Sequence, residues 1–415
     1  MSFCHHILRT PFCRIQVLIP IVLFLIALLS LLMTIAETVP ALRLSISSSS
    51  RPEASQFGHP PIRSRVDVHY TYSSPRGYFL PSLPTTDSKT YDPTITNFGL
   101  IPRGYESDSS TILSHGDHYS HLTDWQRFEH HLKLLNTNAD TKVTYHVLFL
   151  ARHGQGYHNL AESYYGVEAW DCHFAELDGD PDPDSSISWS DARLSKLGQQ
   201  QARAQNKFWT EQIRHAKMPI PQAWFVSPMS RASETCSITF ALLRQSGDLG
   251  RWKPIVKEYL RETNGIHTCD RRSSRSVIES NFPEYEIEDD FDEEDLLWDA
   301  VYRETEDAHT YRAQCVLDDI FHRVADSGMY LSITAHGGMI NAILRAIGHR
   351  EFNVHVGSAI AVLVEAEKHD HGRAEKEFGK GSTKAECISD PFKAGLPGYR
   401  NLKEYVDKLE AAVVD

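Results

Sequence analysis

The chain has 415 residues, of which 41% are hydrophobic and 23% are charged, and its formal net charge is −13. This acidic balance argues against a general nucleic-acid binder, because such proteins neutralise phosphates with clustered lysine and arginine. It does not exclude a small phosphorylated ligand, which needs only a few cations in one pocket. Seven cysteines in a chain of this length, with no CxxC pair, exclude a disulfide-scaffold protein and a zinc knuckle.

A long apolar segment near the amino terminus, Ile15–Ala36, contains no charged residue. It is long enough to cross a hydrocarbon core, which takes roughly 20 residues, and it exceeds the ~7–15 apolar residues of a cleaved signal peptide. We therefore predict a short N-terminal region (1–14), then an uncleaved signal-anchor helix (15–36). This single span would hold the protein on a membrane, on a side that the flanking charges do not indicate. The alternative is a cytoplasmic protein whose N-terminus is removed or not made.

The next segment, residues 37–91, is rich in serine, proline, threonine and arginine. Such a composition buries too little apolar surface to offset the entropy of ordering, which predicts a flexible stalk. From residue 92 to residue 415 the pattern becomes that of a folded domain.

This domain alternates predicted strands and helices. Apolar repeats predict helices that end near Gly247 and Gly348. Strands alternating with helices predict an α/β protein with three layers, a mainly parallel sheet between helices. The strands are predicted at Val143–Ala151, Ala223–Val226, near Ile255 to Leu260, Tyr330–Ala335 and Ala359–Val364.

Charged and imidazole side chains follow these strands. The first strand is followed by Arg152 and His153, and the second by Arg231. Glu262 follows the third strand, and His336 follows the fourth. Ligands of open α/β sheets bind outside the carboxyl ends of the strands, so these side chains are expected to converge. They would form a cationic cup for a phosphoryl group, with an imidazole able to attack it and a carboxyl group able to carry a proton.

Five motifs occur in an order that resembles the histidine phosphatase superfamily, the phosphoglycerate mutase-like group. The resemblance runs from about Phe98 to about Glu365, and it is similar to the branch of fungal and plant phosphoglycerate mutase-like proteins and a yeast phosphomutase homologue. The motifs are Leu150-Ala-Arg-His-Gly-Gln-Gly-Tyr-His-Asn159, Asp191-Ala-Arg-Leu-Ser195 with Gly198 and Gln201-Ala202, Ser227-Pro-Met-Ser-Arg-Ala232, Leu260-Arg-Glu262 and Ala335-His-Gly337.

The resemblance implies a role for each residue of the site. His153 would be the nucleophile that forms a phosphohistidine. Glu262 would protonate the leaving alcohol and then activate water. The residues implied to bind the phosphoryl oxygens are Arg152, Asn159, Arg231 and His336. Arginine suits this task because its planar fork matches phosphate and its charge is fixed.

Two departures from the family pattern favour hydrolysis over mutase activity. Gln155 stands where many members carry glutamate. The segment Thr263–Ser276 does not match the region that holds the substrate carboxylate in a glycolytic mutase. Its arginines, Arg271, Arg272 and Arg275, either grip a second anionic group of the substrate or belong to a solvated loop.

Three functions remain open at this point. The leading prediction is a phosphomonoester hydrolase acting on a small phosphorylated metabolite. The alternatives are a phosphoglycerate-type phosphomutase, and an idle, membrane-tethered module that binds phosphorylated ligands. No HExxH or thiolate spacing indicates a metal, so neither a metal nor another cofactor is predicted. The sequence does not indicate an oligomeric state.

Overall fold

The structure, a computed structural model, describes residues 61–106, 108, 122–250, 252–325, 328–388 and 401–413. These residues belong to one compact unit.

Within this part of the chain, seven strands form one mixed sheet in the order β1-β7-β2-β6-β3-β4-β5. Strand β7 is antiparallel to both β1 and β2, and the other pairs are parallel. The predicted α/β fold with a mainly parallel sheet is thereby confirmed. The strands are β1 (His69–Ser73), β2 (Val143–Arg152), β3 (Ala223–Val226), β4 (Ile255–Val256), β5 (Glu286–Ile287), β6 (Tyr330–Ala335) and β7 (Ala359–His369).

Helices connect the strands and cover the sheet. Side-chain caps define several helix starts; the Ser195 hydroxyl, for example, accepts a hydrogen bond from the amide of Gly198 at 3.1 Å. The helices are α1 (Asp124–Asn138), α2 (Tyr157–Tyr165), α3 (Val167–Cys172), α4 (Lys196–Arg214), α5 (Ser230–Thr239), α6 (Ala241–Gln245), α7 (Arg275–Asn281), α8 (Glu306–Val324), α9 (Gly337–Ala346) and α10 (Leu402–Ala412).

Two apolar cores lie on opposite faces of the sheet, which confirms the three-layer arrangement. Alternate residues of β2 divide between them: Leu148 and Leu150 belong to the core that includes α8 and α9. Val147 and Phe149 belong to the core that includes α1, α4 and α5. Because side chains alternate across a strand, a strand buried on both faces is a continuous apolar run, as the sequence of β2 is.

A third apolar cluster joins α2 and α3 to the C-terminal helix. It includes Trp170 and Trp189, and Leu402 of α10 is fully buried in it. A disulfide bond between Cys172 and Cys387 ties the end of α3 to the segment that precedes α10. The cysteine count of the sequence predicts no such pair.

The stalk predicted over residues 37–91 is wrong from residue 61 onward. Strand β1 pairs with β7 over its whole length, and the side chain of Phe79 is buried. The amide of Tyr70 also donates a 2.9 Å hydrogen bond to Asp318. The aromatic residues therefore bury enough surface to order a segment whose overall composition is polar. Residues 37–60 lie outside the described residues.

The predicted membrane anchor is also corrected. No helix in the described ranges is long and apolar enough to cross a membrane. This finding contradicts the membrane localisation and the membrane partner predicted from Ile15–Ala36. That segment, like residues 1–14, lies outside the described residues.

Two smaller predictions differ from the structure. The strand expected near Ile255 to Leu260 ends at Val256, and Glu258–Leu260 forms a 3-10 turn. The helix expected to end near Gly247 is interrupted at Phe240, whose φ of −101° and ψ of 7° are not helical.

Candidate active site

Two neighbouring strands bring His153 and His336 together. The parallel register of β2 and β6 pairs Arg152 with Ala335, and the amide of His153 donates a 3.0 Å hydrogen bond to the carbonyl of Ala335. The two histidines therefore leave the sheet side by side, with ring centroids 5.0 Å apart.

The imidazole of His153 is buried and held in one tautomer. Its Nδ1 lies 2.7 Å from the carbonyl oxygen of Gly154 and donates to it, so Nε2 carries the lone pair and acts as an acceptor. The guanidinium Nε of Arg231 lies 3.4 Å from this Nε2. Burial first, and the positive charges of Arg231 and Arg152 next, lower the pKa of His153 well below its usual value. The ring is therefore neutral at pH 7.

His336 presents a ring nitrogen without a partner beside this ring. Its Nε2 lies 2.7 Å from the hydroxyl of Ser227, while its Nδ1 is buried and has no hydrogen-bond partner among the described residues. In the tautomer in which the Ser227 hydroxyl donates to Nε2, Nδ1 carries the proton and can donate to a ligand. Burial and the nearby Arg231 lower the pKa of His336 as well.

The two arginines beside His153 are placed differently. Arg231 is buried, and it donates from Nη1 to the carbonyl of Cys269 at 2.5 Å and from Nη2 to Asp270 at 3.1 Å. Arg152 donates from Nη1 to the carbonyl of Val354 at 3.1 Å. Within the described ranges its buried Nε has no partner, and no carboxylate forms an ion pair with it. Arg152 thus keeps its charge for a ligand.

Gly337 makes room for Arg152. A Cβ atom added to Gly337 would lie 3.2 Å from the guanidinium carbon of Arg152. Gly337 is also the first residue of α9, whose N-terminal amide groups carry partial positive charge.

Glu262 lies at the start of the same helix. Its Oε2 accepts a 3.1 Å hydrogen bond from the amide of Gly338, and its Oε1 accepts one at 3.0 Å from the amide of Thr263. The side chain is half-buried, and its charge acts on Arg152. The carboxyl group therefore lies at the N-terminus of α9, which follows His336, and its predicted role in proton transfer stays a prediction.

Asn159 has a local structural role. Its Oδ1 accepts a 3.0 Å hydrogen bond from the amide of Gly156 and so caps the start of α2. Its predicted contact with a phosphoryl group stays a prediction.

Two backbones meet at the turn that follows β2. A Cβ atom on Gly154 would lie 3.0 Å from Cα of Gly198, and a Cβ atom on Gly198 would lie 2.9 Å from the backbone carbon of Gln155. The side chain of Gln201 accepts a 2.8 Å hydrogen bond from the amide of Gln155. The glycines of two motifs thus let α4 support the loop that carries His153.

Comparisons with known proteins agree with this geometry. The profile of the histidine phosphatase superfamily (branch 1) matches residues 184–364. A probable phosphoglycerate mutase of Arthroderma benhamiae is 43% identical over 297 residues, which cover 72% of this chain and 85% of the relative. The chain belongs to the histidine phosphatase superfamily.

Two further relatives are more distant. A probable phosphoglycerate mutase of Saccharomyces cerevisiae is 31% identical and covers 65% of this chain and 93% of the relative. The phosphomutase-like protein 3 of Candida albicans is 33% identical and covers 54% of this chain and 67% of the relative.

The arginines of the segment Thr263–Ser276 each form an ion pair with a carboxylate of the protein. Arg272 is buried and donates to Glu258 at 2.8 Å. Arg271 donates to Asp178 at 2.6 Å, and Arg275 donates to Glu279 at 2.9 Å. Only Arg272 is buried in its ion pair, whereas the pairs of Arg271 and Arg275 are partly exposed to solvent. Contact of Arg271 or Arg275 with a second anionic group of the substrate stays a prediction.

Sequence reasoning missed His158, although it lies inside the first motif. Its ring is buried, with its centroid 5.4 Å from that of His153. Burial, then Arg231 and His153, lower the pKa of His158 well below its usual value. Three histidines with lowered pKa values, His153, His158 and His336, thus lie near Arg152 and Arg231.

A second carboxyl group, Glu162, lies one helical turn beyond His158 on α2. Burial first, and then the charge of Asp171, raise the pKa of Glu162, while Arg152 opposes the rise. The side chain is half-buried and forms no ion pair within the described part of the chain. It is a second candidate for proton transfer.

One cluster has the chemistry of metal ligands, but its carboxylate is already paired. Ligand atoms of His267, Cys269 and Asp270 lie within 4.8 Å of one another. Asp270 accepts hydrogen bonds from Arg231 and from Arg303. Two guanidinium groups therefore take the place that a cation would need, and the residues do not fit a metal site.

Proposed function

We propose that this protein is a metal-independent phosphomonoesterase that hydrolyses a small phosphorylated metabolite through a phosphohistidine at His153. The observation that carries the proposal is the environment of Nε2 of that histidine. The Nε2 of this neutral ring accepts a long, 3.4 Å hydrogen bond from Arg231, and the unpartnered nitrogens of Arg152 and His336 are buried nearby. Buried polar atoms without partners are costly, and the oxygens of a phosphoryl group would accept from Arg152 Nε and from His336 in its Nδ1-protonated tautomer.

The reaction has two steps. In the first, Nε2 of His153 attacks phosphorus, the bond from phosphorus to the leaving oxygen breaks, and Glu262 gives that oxygen a proton. In the second, water attacks phosphorus, Glu262 takes the proton of the water, and the nitrogen–phosphorus bond breaks. Dividing the displacement in this way replaces one difficult step by two easier ones. The arginines stabilise the charge of the transferring group in both steps.

Phosphomutase activity is the second candidate, because two relatives carry the name phosphoglycerate mutase. A phosphoglycerate substrate has a carboxylate that needs a cation outside the phosphate cup. The arginines expected to supply one, Arg271, Arg272 and Arg275, each pair with a carboxylate of the protein. This pairing favours the phosphatase.

The test is a labelling experiment with an aryl phosphate and the full chain. We expect brief incubation to leave an acid-labile, base-stable phosphoryl group on His153, and His153→Ala to abolish both the label and turnover. His322→Ala, at an exposed histidine on α8, is the matched control and should keep both. Normal turnover of His153→Ala would disprove the nucleophile.

A second assay separates the two reactions. The chain is incubated with 3-phosphoglycerate and a bisphosphoglycerate primer, and the products are resolved. A phosphatase releases inorganic phosphate at a rate that the primer does not raise. Primer-dependent formation of 2-phosphoglycerate that exceeds phosphate release would establish the mutase instead.

A further inference from the structure

A buried ion-pair network lies behind the phosphate cup. Asp270 and Arg231 are 3% and 1% exposed, so both charges are shielded from water. One oxygen of Asp270 accepts from Arg231 at 3.1 Å, and the other accepts from Arg303 at 3.0 Å. Arg303 is also held by a 2.7 Å hydrogen bond to the carbonyl of Gly265.

The network determines how Arg231 faces His153. All three nitrogens of its guanidinium are directed: Nε toward His153, Nη1 to the carbonyl of Cys269 and Nη2 to Asp270. Both acceptors belong to one short 3-10 turn, Thr268–Asp270. The turn thus holds the fork of Arg231 with its Nε on the reacting nitrogen.

The network also determines how much positive charge Arg231 offers. A carboxylate paired with Arg231 alone would neutralise it. Here one carboxylate serves two guanidinium groups, so the set keeps a net positive charge. Burial by itself would raise the pKa of Asp270, but Arg303 and then Arg231 outweigh burial and hold the pKa below its usual range. The carboxylate is therefore ionised at neutral pH.

We propose that Asp270 is a positioning residue that divides its charge between Arg231 and Arg303, and that this division determines how tightly the site holds a phosphoryl group. This inference rests on the proposed function, since it assumes that Arg231 binds the phosphoryl oxygens. Asparagine in place of Asp270 can still accept the hydrogen bond from Arg231, so Asp270→Asn removes the carboxylate charge and leaves the fork in position. Removing Arg303 leaves Asp270 entirely to Arg231.

The two changes have opposite signs, which makes the test decisive. The probe is orthovanadate, an oxyanion that resembles phosphate, and its Kd is measured by calorimetry on the full chain. We expect Asp270→Asn to lower the Kd at least threefold and to slow turnover, because product phosphate leaves more slowly. We expect Arg303→Met to raise the Kd at least threefold. A purely structural network would weaken binding in both variants.

Two further variants keep the test interpretable. Arg271→Met removes a neighbouring arginine that pairs with Asp178, and it should leave the Kd within twofold of the wild-type value. The double variant Asp270→Asn/Arg303→Met removes one charge of each sign, so its Kd should return to within about twofold of wild type. If the single Asp270 variant does not fold, the double variant still tests the effect of the Asp270 charge, because its Kd should be lower than that of Arg303→Met alone.

The outcomes separate this inference from the proposed function. Hydrolysis of an aryl phosphate with parallel changes in Kd would overturn the inference and leave the phosphatase intact. Opposite changes in Kd without hydrolysis would do the reverse. A wild-type chain that binds no vanadate would overturn both.

Discussion

The contact between Gly198 and the loop after β2 gives the sharpest prediction for a single substitution. Gly198 lies in the first turn of α4, where alanine is preferred to glycine by roughly 1 kcal/mol on helix propensity alone. Propensity therefore predicts that Gly198→Ala stabilises the protein. The structure predicts the opposite, because the added Cβ would overlap the carbonyl group of Gln155, two residues beyond His153.

The magnitude follows from the distances. The new Cβ would lie 2.9 Å from the backbone carbon of Gln155, whereas two carbon atoms rest at about 3.5 Å or more. The two backbones must separate by about 0.6 Å or more. Overpacking of this kind costs about 1–3 kcal/mol, which outweighs the helix gain. A displacement near 1 Å at a reacting group lowers the rate about a hundredfold, so we expect kcat/KM to fall between tenfold and a hundredfold.

The assay is kcat/KM on an aryl phosphate together with urea unfolding of the same preparation. The matched control is Gly379→Ala, where the added Cβ would meet nothing within 4 Å, and it should change neither quantity. If Gly198→Ala instead keeps full activity and unfolds at higher urea than wild type, helix propensity dominates and the reasoning from backbone contact is refuted.

Four other predictions follow from the site and its surroundings. Activity should persist in EDTA, because the ligand-like cluster in the described residues is paired with arginines; a loss restored by a divalent ion would contradict this. Glu262→Gln should slow the hydrolysis of alkyl phosphates more than that of aryl phosphates, because alkyl leaving groups need a proton, whereas Glu162→Gln should show no such preference. If Glu162→Gln shows this preference and Glu262→Gln does not, Glu162 is the proton donor. Burial and Arg231 lower the pKa of His153, so protonation should reduce kcat/KM only well below pH 6.5, and a pH profile with its acid midpoint at 6.5 or above would disprove the neutral, buried ring. In the same direction, the unfolded histidine binds a proton below about pH 6.5, so stability should fall as the pH is lowered through that value. Cys172→Ser should lower the free energy of unfolding by about 2–5 kcal/mol, and reductant should bring the wild-type protein to the same urea midpoint but leave the variant unchanged.

Local sequence predicted the sheet well where a strand is buried on both faces. The apolar run of β2 and the residues that follow it place Arg152 and His153 correctly, and the parallel register then brings His336 alongside. The stalk prediction failed because composition was averaged over residues 37–91, which concealed the aromatic residues that pack in and beside β1.

The partners of the site residues could not be predicted from spacing. Asp270 and Arg303 are separated by more than thirty positions in the chain, and only the tertiary fold pairs them. His158 differs, since it lies within the first motif and its signal was present. Its burial beside His153 depends on how α2 leaves the turn, which the motif alone does not specify.

The arginines near the site show that the positions of arginines in the sequence do not reveal which of them is available to a ligand. Arg261 and Arg312 are fully buried, but Arg261 pairs with Glu258 and Asp295, and Arg312 pairs with Glu304. Their charge is compensated inside the protein, so a ligand gains little from them even where, as in Arg261, one nitrogen stays unpaired. Arg152 differs from both, because within the described ranges it has no carboxylate partner, and a Cβ atom on the first residue of α9 would press against it. The half-buried Arg152 forms no ion pair in the described ranges, so Glu262 and Glu162 balance its charge only partly and an anionic ligand would balance it further. The position of Arg152 beside a neutral nucleophilic imidazole makes a phosphoryl group the anion that best meets that need.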